Sequence, residues 1–106
     1  MAYELDTSDA LTSSIIDISS TGDNTVVSGT ASQSIKVYKM FLAASATVGM
    51  VFKDGTTGRL TGTMFVTSFS LDEDREPWFT LTSGSAFVIN LSGTTQVSGR
   101  VYYITD

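Results

Sequence analysis

Apolar residues in this chain come in short runs, several alternating with polar residues, and clusters of Gly, Ser and Thr stand between the runs. No window repeats apolar residues at the i, i+3, i+4, i+7 spacing of an amphipathic helix. Thr, Ser and Gly make up 40 of the 106 residues. Thr and Val suit a pleated, half-buried surface, whereas Gly and Ser mark turns, so the chain is expected to be all-β. The best helical candidate, Phe41-Leu42-Ala43-Ala44-Ser45-Ala46, runs straight into Thr47-Val48-Gly49 and reads as the end of a strand.

A chain of 106 residues can build one modest core without metal or disulfide support, and one domain is expected. Residues 1–12 read as an irregular arm, because Tyr3, Leu5 and Leu11 are separated by acids, Ser and Thr with no regular period; order there would depend on a partner. Residues 13–106 then form the β domain. Strands are expected near 14–19, with Ile16 and Ile18 inward and Asp17 outward, and near 25–29 after the turn Thr21-Gly22-Asp23-Asn24. The longest candidate covers 34–45, and its two faces disagree about which is inside. Ile35 and Val37 share parity with Lys39, while Lys36 shares parity with Tyr38, Met40 and Leu42; a bulge or a change of surroundings midway resolves the conflict.

Val48, Met50 and Phe52 then alternate with Gly49, Val51 and Lys53, and Asp54-Gly55-Thr56-Thr57-Gly58 closes a hairpin with Gly free to take positive φ. Further strands are expected over 60–69, broken near Gly62, over Trp78-Phe79-Thr80-Leu81 behind Pro77, over 85–91 and over 96–104. Roughly eight short strands separated by turn residues argue for a sandwich or barrel.

Composition narrows the chemistry. With no Cys and no His, disulfides, thiolate metal sites, thiol nucleophiles and imidazole bases are excluded, and no cofactor is expected. The formal net charge of −5 opposes a phosphate backbone, so nucleic acid is not an expected partner. All of that excess lies in residues 1–35, where Glu4, Asp6, Asp9, Asp17 and Asp23 precede the first base, Lys36. No run approaches the ~20 apolar residues of a membrane helix, and Met1-Ala2-Tyr3-Glu4-Leu5-Asp6 lacks the basic and apolar parts of a secretion signal. Synthesis in the cytoplasm without membrane attachment is the expectation.

Candidate sites are few. Asp72-Glu73-Asp74-Arg75-Glu76 is the densest carboxylate run, but it lacks the alternating ligands, central Gly and distant Glu of a calcium loop and reads as a solvated turn. No G-x-S-x-G elbow occurs. No enzymatic activity is expected: hydrolysis by a carboxylate pair alone is the remaining enzymatic alternative, and no expected strand embeds an acid in apolar surroundings except Asp17, which faces outward. Trp78 adjoins Phe79 and Tyr102 adjoins Tyr103. Strand neighbours point to opposite faces, so one of each pair packs inside and the other is available to an interface or, less economically, to a sugar ring. Met40, Phe65 and Phe69 are expected to exceed what one small core holds and to favour contacts between subunits. The partner-binding set is therefore Tyr3, Leu5 and Asp6 on the arm, with Trp78 and Tyr102 on the domain.

The succession Ile35-Lys36-Val37-Tyr38, Ala44-Ser45-Ala46-Thr47-Val48, Val51-Phe52-Lys53-Asp54-Gly55-Thr56-Thr57, Leu60-Thr61-Gly62, Pro77-Trp78-Phe79, Ser83-Gly84-Ser85-Ala86 and Asn90-Leu91-Ser92-Gly93-Thr94-Thr95-Gln96-Val97-Ser98-Gly99 resembles the small β-sandwich decoration, or cement, proteins of tailed-phage capsids. The resemblance implies a single antiparallel, jelly-roll-like sandwich. It also implies a homotrimer that sits on the outer surface of the virion head, binds the major capsid protein and stabilises the shell. Residues 1–34 fall largely outside the likeness, and the charged 72–76 loop departs from the Gly- or Asn-rich connection of the group. Similar modules occur in tails and baseplates, so a sandwich that binds host-surface glycan is the alternative.

Overall fold

The computed structural model describes residues 11–73 and 75–106. Among them are eight strands and no helix: β1 (Thr12–Ile18), β2 (Gly22–Val27), β3 (Ile35–Asp54), β4 (Gly58–Arg59), β5 (Met64–Asp72), β6 (Phe79–Thr80), β7 (Phe87–Leu91) and β8 (Val97–Thr105). All pairings are antiparallel. Residues 1–10, and with them the expected contacts of Tyr3, Leu5 and Asp6, lie outside the described set.

The two strands expected over 34–45 and 48–53 are one continuous strand of 20 residues. Straight, it would span about 66 Å at ~3.3 Å per residue, yet the longest dimension of the fold is 41 Å. It therefore bends. The bend lies where its register against β5 slips between Ala43 and Val48, so that 44–47 stand against the single residue Thr67 of β5 while Ala44 still pairs with Val97 of β8. Ser45-Ala46-Thr47, small or polar and exposed, is the stretch that can leave the β5 ladder at least cost.

That bend folds the sheet over on itself. Residues 35–44 of β3 pair with β8 on one side and with 68–72 of β5 on the other. Residues 48–54 pair with β7 and with 64–66 of β5. The outer strands follow the same rule, β1 pairing with β8 and β2 with β7. Two facing layers result, ordered β1-β8-β3-β5 and β2-β7-β3-β5, with β6 and β4 as short additions alongside β3. This is the strand order of a jelly roll, a sandwich architecture that hosts many unrelated functions.

A bulge does occur midway along the first half of β3: Val37 pairs with Tyr103 and Lys39 with Tyr102, leaving Tyr38 unopposed. Ile35 and Val37 are buried before it, and Tyr38, Met40 and Leu42 after it. The inserted residue thus moves the inward face from odd to even positions, which settles the parity conflict in the sequence.

One core fills the space between the layers. Ile16, Ile18, Ile35, Val37, Met40, Leu42, Val97 and Val101 come from one side, and Val27, Val48, Met50, Phe52, Phe87, Ile89 and Leu91 from the other. Phe52 is the central piece: its ring lies edge-on to Phe69, Phe79 and Phe87, with centroids 5.1, 6.1 and 5.9 Å away. Met40 is therefore a core residue and Phe69 packs against the core. Neither is surplus, as their composition-based reading had it, because the Tyr38 bulge turns the even positions of β3 inward. Gly55 does take positive φ, at 72°. At Gly99 the backbones of β8 and β3 approach so closely that a Cβ would overlap the carbonyl oxygen of Phe41 and lie 2.7 Å from Leu42 Cα.

Candidate functional site

In an antiparallel ladder, residues directly opposite one another share a face, and the face alternates along each strand. The register of the first layer therefore fixes what it shows to solvent. Ile15 stands opposite Arg100, Arg100 opposite Phe41 and Phe41 opposite Ser70. On one side of this row run Ser13, Tyr102, Lys39 and Asp72, and on the other Asp17, Ser98, Ala43 and Ser68. Inward alternation of Ile16, Leu42 and Val101 forces these residues outward. Trp78 belongs to the same side, because its neighbour Phe79 turns its ring into the core against Phe52.

The result is an apolar strip on a polar sheet face. Ile15 is 65% exposed, Phe41 53% and Trp78 51%, and Tyr102 is half-buried between them. Singly exposed apolar residues need no explanation, but several brought to one face mark a contact surface. Phe65, 69% exposed, sits apart, opposite Gly49 in the second layer.

A shallow groove of about 550 Å³ lies over the Phe41 and Tyr102 part of this strip, lined also by Leu11, Lys39, Ser70 and Asp72. In the groove Lys39 Nζ lies 3.7 Å from Asp72 Oδ1, and elsewhere on the same face Arg100 Nη1 donates to Ser13 Oγ at 2.8 Å. At the far end, Glu73, Glu76, Pro77 and Trp78 line a smaller hollow of about 220 Å³. Asp17, outward as expected, accepts from Gln96 Nε2 at 2.7 Å.

The second layer shows a different surface. Asp23 accepts from Asn90 Nδ2 at 2.7 Å and from Lys53 Nζ at 3.1 Å, and these donors, Asn90 first, hold its carboxyl below the ordinary value of 3.8. Lys53, Arg59, Thr57 and Asn90 surround a hollow over Val51. Among the described residues no group of three or more His, Cys, Asp or Glu is placed to hold a metal ion, and no polar or charged side chain is buried.

Family models, curated proteins and solved structures yield no match to this chain.

Of the sequence-derived site residues, Trp78 and Tyr102 are brought to one face, while Tyr3, Leu5 and Asp6 lie outside the described residues. Ile15 and Phe41 were missed. Ile15 was within reach, because placing Ile16 and Ile18 inward sends it outward with Asp17. Phe41 was not: its direction depends on which residue of β3 is the bulged one, and parity alone leaves that open.

Proposed function

We propose that this protein is a structural decoration protein of a tailed-phage capsid, which docks on the outer surface of the major capsid protein shell as a homotrimer and strengthens the head. The observation that carries the reading is the outward strip of Ile15, Phe41, Tyr102 and Trp78 on one sheet face. Removing a large apolar side chain from water stabilises a contact by about 1.5–3 kcal/mol, so a few per protomer offset the cost of association. Trimeric display multiplies a weak contact by valency, because once one protomer engages the shell its partners are held at high local concentration. The jelly roll suits this role: a closed apolar core and two broad β faces provide rigid surface without moving parts.

The test is cosedimentation of the purified chain with undecorated shells, combined with light scattering of the chain alone and imaging of particles made with and without its gene. Saturable shell binding, lost in Phe41→Ser and retained in Phe65→Ser, supports the reading. A monomer that ignores shells refutes it.

A second reading is favoured by one feature, the half-exposed Trp78 beside Glu73 and Glu76. An indole with neighbouring carboxylates can stack on a sugar ring and accept its hydroxyl hydrogens, as a glycan-binding tail or baseplate module would require. A glycan array hit abolished by Trp78→Ala and unaffected by Ile15→Ser selects that reading over the first.

A further inference from the structure

The first layer ends on both sides in an open edge, and hydrogen-bond alternation fixes which backbone groups each edge presents. Glu73 N donates to Tyr38 O at 3.1 Å. Bonded pairs in an antiparallel ladder recur at every second residue, so the register turns the backbone groups of Leu71 and Phe69 towards β3 and those of Asp72, Ser70 and Ser68 away from it. At the other edge the anchor is Ser34 and Asp106, which exchange backbone bonds of 2.9 and 3.2 Å. Carried across β3, its bulge and β8, the same alternation turns Ser14, Ile16 and Ile18 towards β8 and Ser13, Ile15 and Asp17 outward. Among the described residues nothing bonds to these outward backbone groups.

An unpaired row of N–H and C=O groups invites another strand, and edge strands are ordinarily guarded by Lys, Pro, inward charge or shortness. From Met64 to Leu71, β5 carries no charged residue and no Pro. Its inward side chains Phe69 and Leu71 are only partly buried, whereas Leu42 and Met40 opposite them are buried. A further strand alongside β5 would cover them.

We propose that the β5 edge of one copy takes the β1 edge of a second copy, so that the first layer continues from chain to chain, with Asp72 facing Ser13, Ser70 facing Ile15 and Ser68 facing Asp17 of that copy. Direction, pleat, charge and shape all select this occupant. Strands alternate in direction through β1, β8, β3 and β5, so two copies in the same orientation bring β5 and β1 together antiparallel. Both outward backbone rows carry their side chains on the solvent face, so the pleats match. Each Asp meets a Ser and no like charges oppose one another. Ser70 is small and stands between Phe41 and the incoming Ile15, so the exposed strip of one copy runs on into that of the next. A head-to-tail contact of this kind closes a ring when the rotation per copy allows. It supplies the contact between protomers that the proposed homotrimer requires, and it rests on that reading only for the number of copies in the ring.

The chain contains no cysteine, so engineered thiols report this contact alone. Within one chain positions 15 and 70 are three strand spacings apart, about 14 Å, beyond the reach of a disulfide. Under mild oxidation, the double variant Ile15→Cys/Ser70→Cys should run as linked chains on a non-reducing gel, while Ile15→Cys or Ser70→Cys alone should stay single. Mixing the two single variants should link unlike chains in pairs. Ser70→Pro removes an N–H that faces away from β3, so the far-ultraviolet circular dichroism should not change, while the mass from light scattering should fall to that of one chain. The thiol variants remove no backbone group and carry the test independently of how Ser70→Pro folds. Linking in Ser70→Cys alone identifies a two-fold β5 pairing and overturns the proposal, as does linking in Ile15→Cys alone. A trimer that shows no link, or that survives a folded Ser70→Pro, overturns this contact and leaves the homotrimer standing. Linked assemblies of another size support the contact and overturn the trimer. A wild-type chain that stays single at millimolar concentration overturns both.

Discussion

Phe52 ties the two layers together, and replacing it measures how strongly. It belongs to the second layer, opposite Ile89, yet two of its three edge-on partners, Phe69 and Phe79, are paired to the first half of β3. Truncation in Phe52→Ala removes a fully buried ring and should cost about 3–5 kcal/mol through lost transfer energy and the cavity left behind. Phe52→Leu retains most of the apolar volume and removes the ring pairs, each worth about 0.5–1.5 kcal/mol. Summed over the three contacts this is at most about 4.5 kcal/mol, and because contacts in one cluster do not add independently, about 2–3 kcal/mol is expected. At ~0.05–0.15 kcal/mol per residue the whole domain holds about 5–16 kcal/mol, so Phe52→Ala should bring it near its folding threshold. Urea titration followed by far-ultraviolet circular dichroism gives both free energies, and an unchanged slope confirms that the same surface unfolds. Phe65→Leu, on an exposed ring, is the control and should change stability by less than ~0.5 kcal/mol. If Phe52→Leu costs no more than Phe65→Leu, the ring cluster does not join the layers and the account of the core is wrong.

Gly99→Ala should destabilise by about 1–3 kcal/mol or more, since its Cβ meets backbone that no rotamer change can move, whereas Gly93→Ala, with nothing within 4 Å, should be near neutral; thermal melts of the two compare them directly. Asp23 titrates below its ordinary value because Asn90 and Lys53 favour its charged form, so its stabilising contribution is complete above the ordinary carboxylate range and is lost as pH falls through the lowered folded value. Asp23→Asn should therefore melt below wild type at neutral pH, with the gap closing in strong acid; a gap independent of pH refutes the assignment. Ile15→Ser combined with Phe41→Ser should leave the unfolding free energy from urea titration within ~0.5 kcal/mol of wild type while abolishing the shell binding proposed above, and a large stability loss would mean that these side chains belong to the core.

Local pattern made the strands legible. Alternation at Val48–Phe52 and at Phe87–Leu91 identified the inward residues, and the parity conflict between Val37 and Met40 announced the bulge that Tyr38 supplies. What local pattern does not carry is pairing between distant segments. Nothing in Thr12–Ile18 says that its partner is Val97–Thr105, and the layer order follows from such pairings. Phe41–Ala46 reads as the end of a strand because it runs into Thr47-Val48-Gly49, whereas the strand continues through it and bends there, serving both layers. The same gap hid part of the contact surface: Trp78 and Tyr102 stood out as aromatic neighbours of core residues, but only the register across β1, β8 and β3 places them with Ile15 and Phe41.

Strand β8 lies between β1 and β3, and the hydroxyls of Ser14 on β1 and Tyr103 on β8 that meet between these two strands are 89 positions apart. During synthesis Ile16 and the first half of β3 therefore lack their β8 neighbours until Val97–Thr105 has been made, so the first layer closes after the second can. A transcript that stops short of Val97 yields a polypeptide whose opening strand has no ladder to join, and such a product is bound for proteolysis or aggregation.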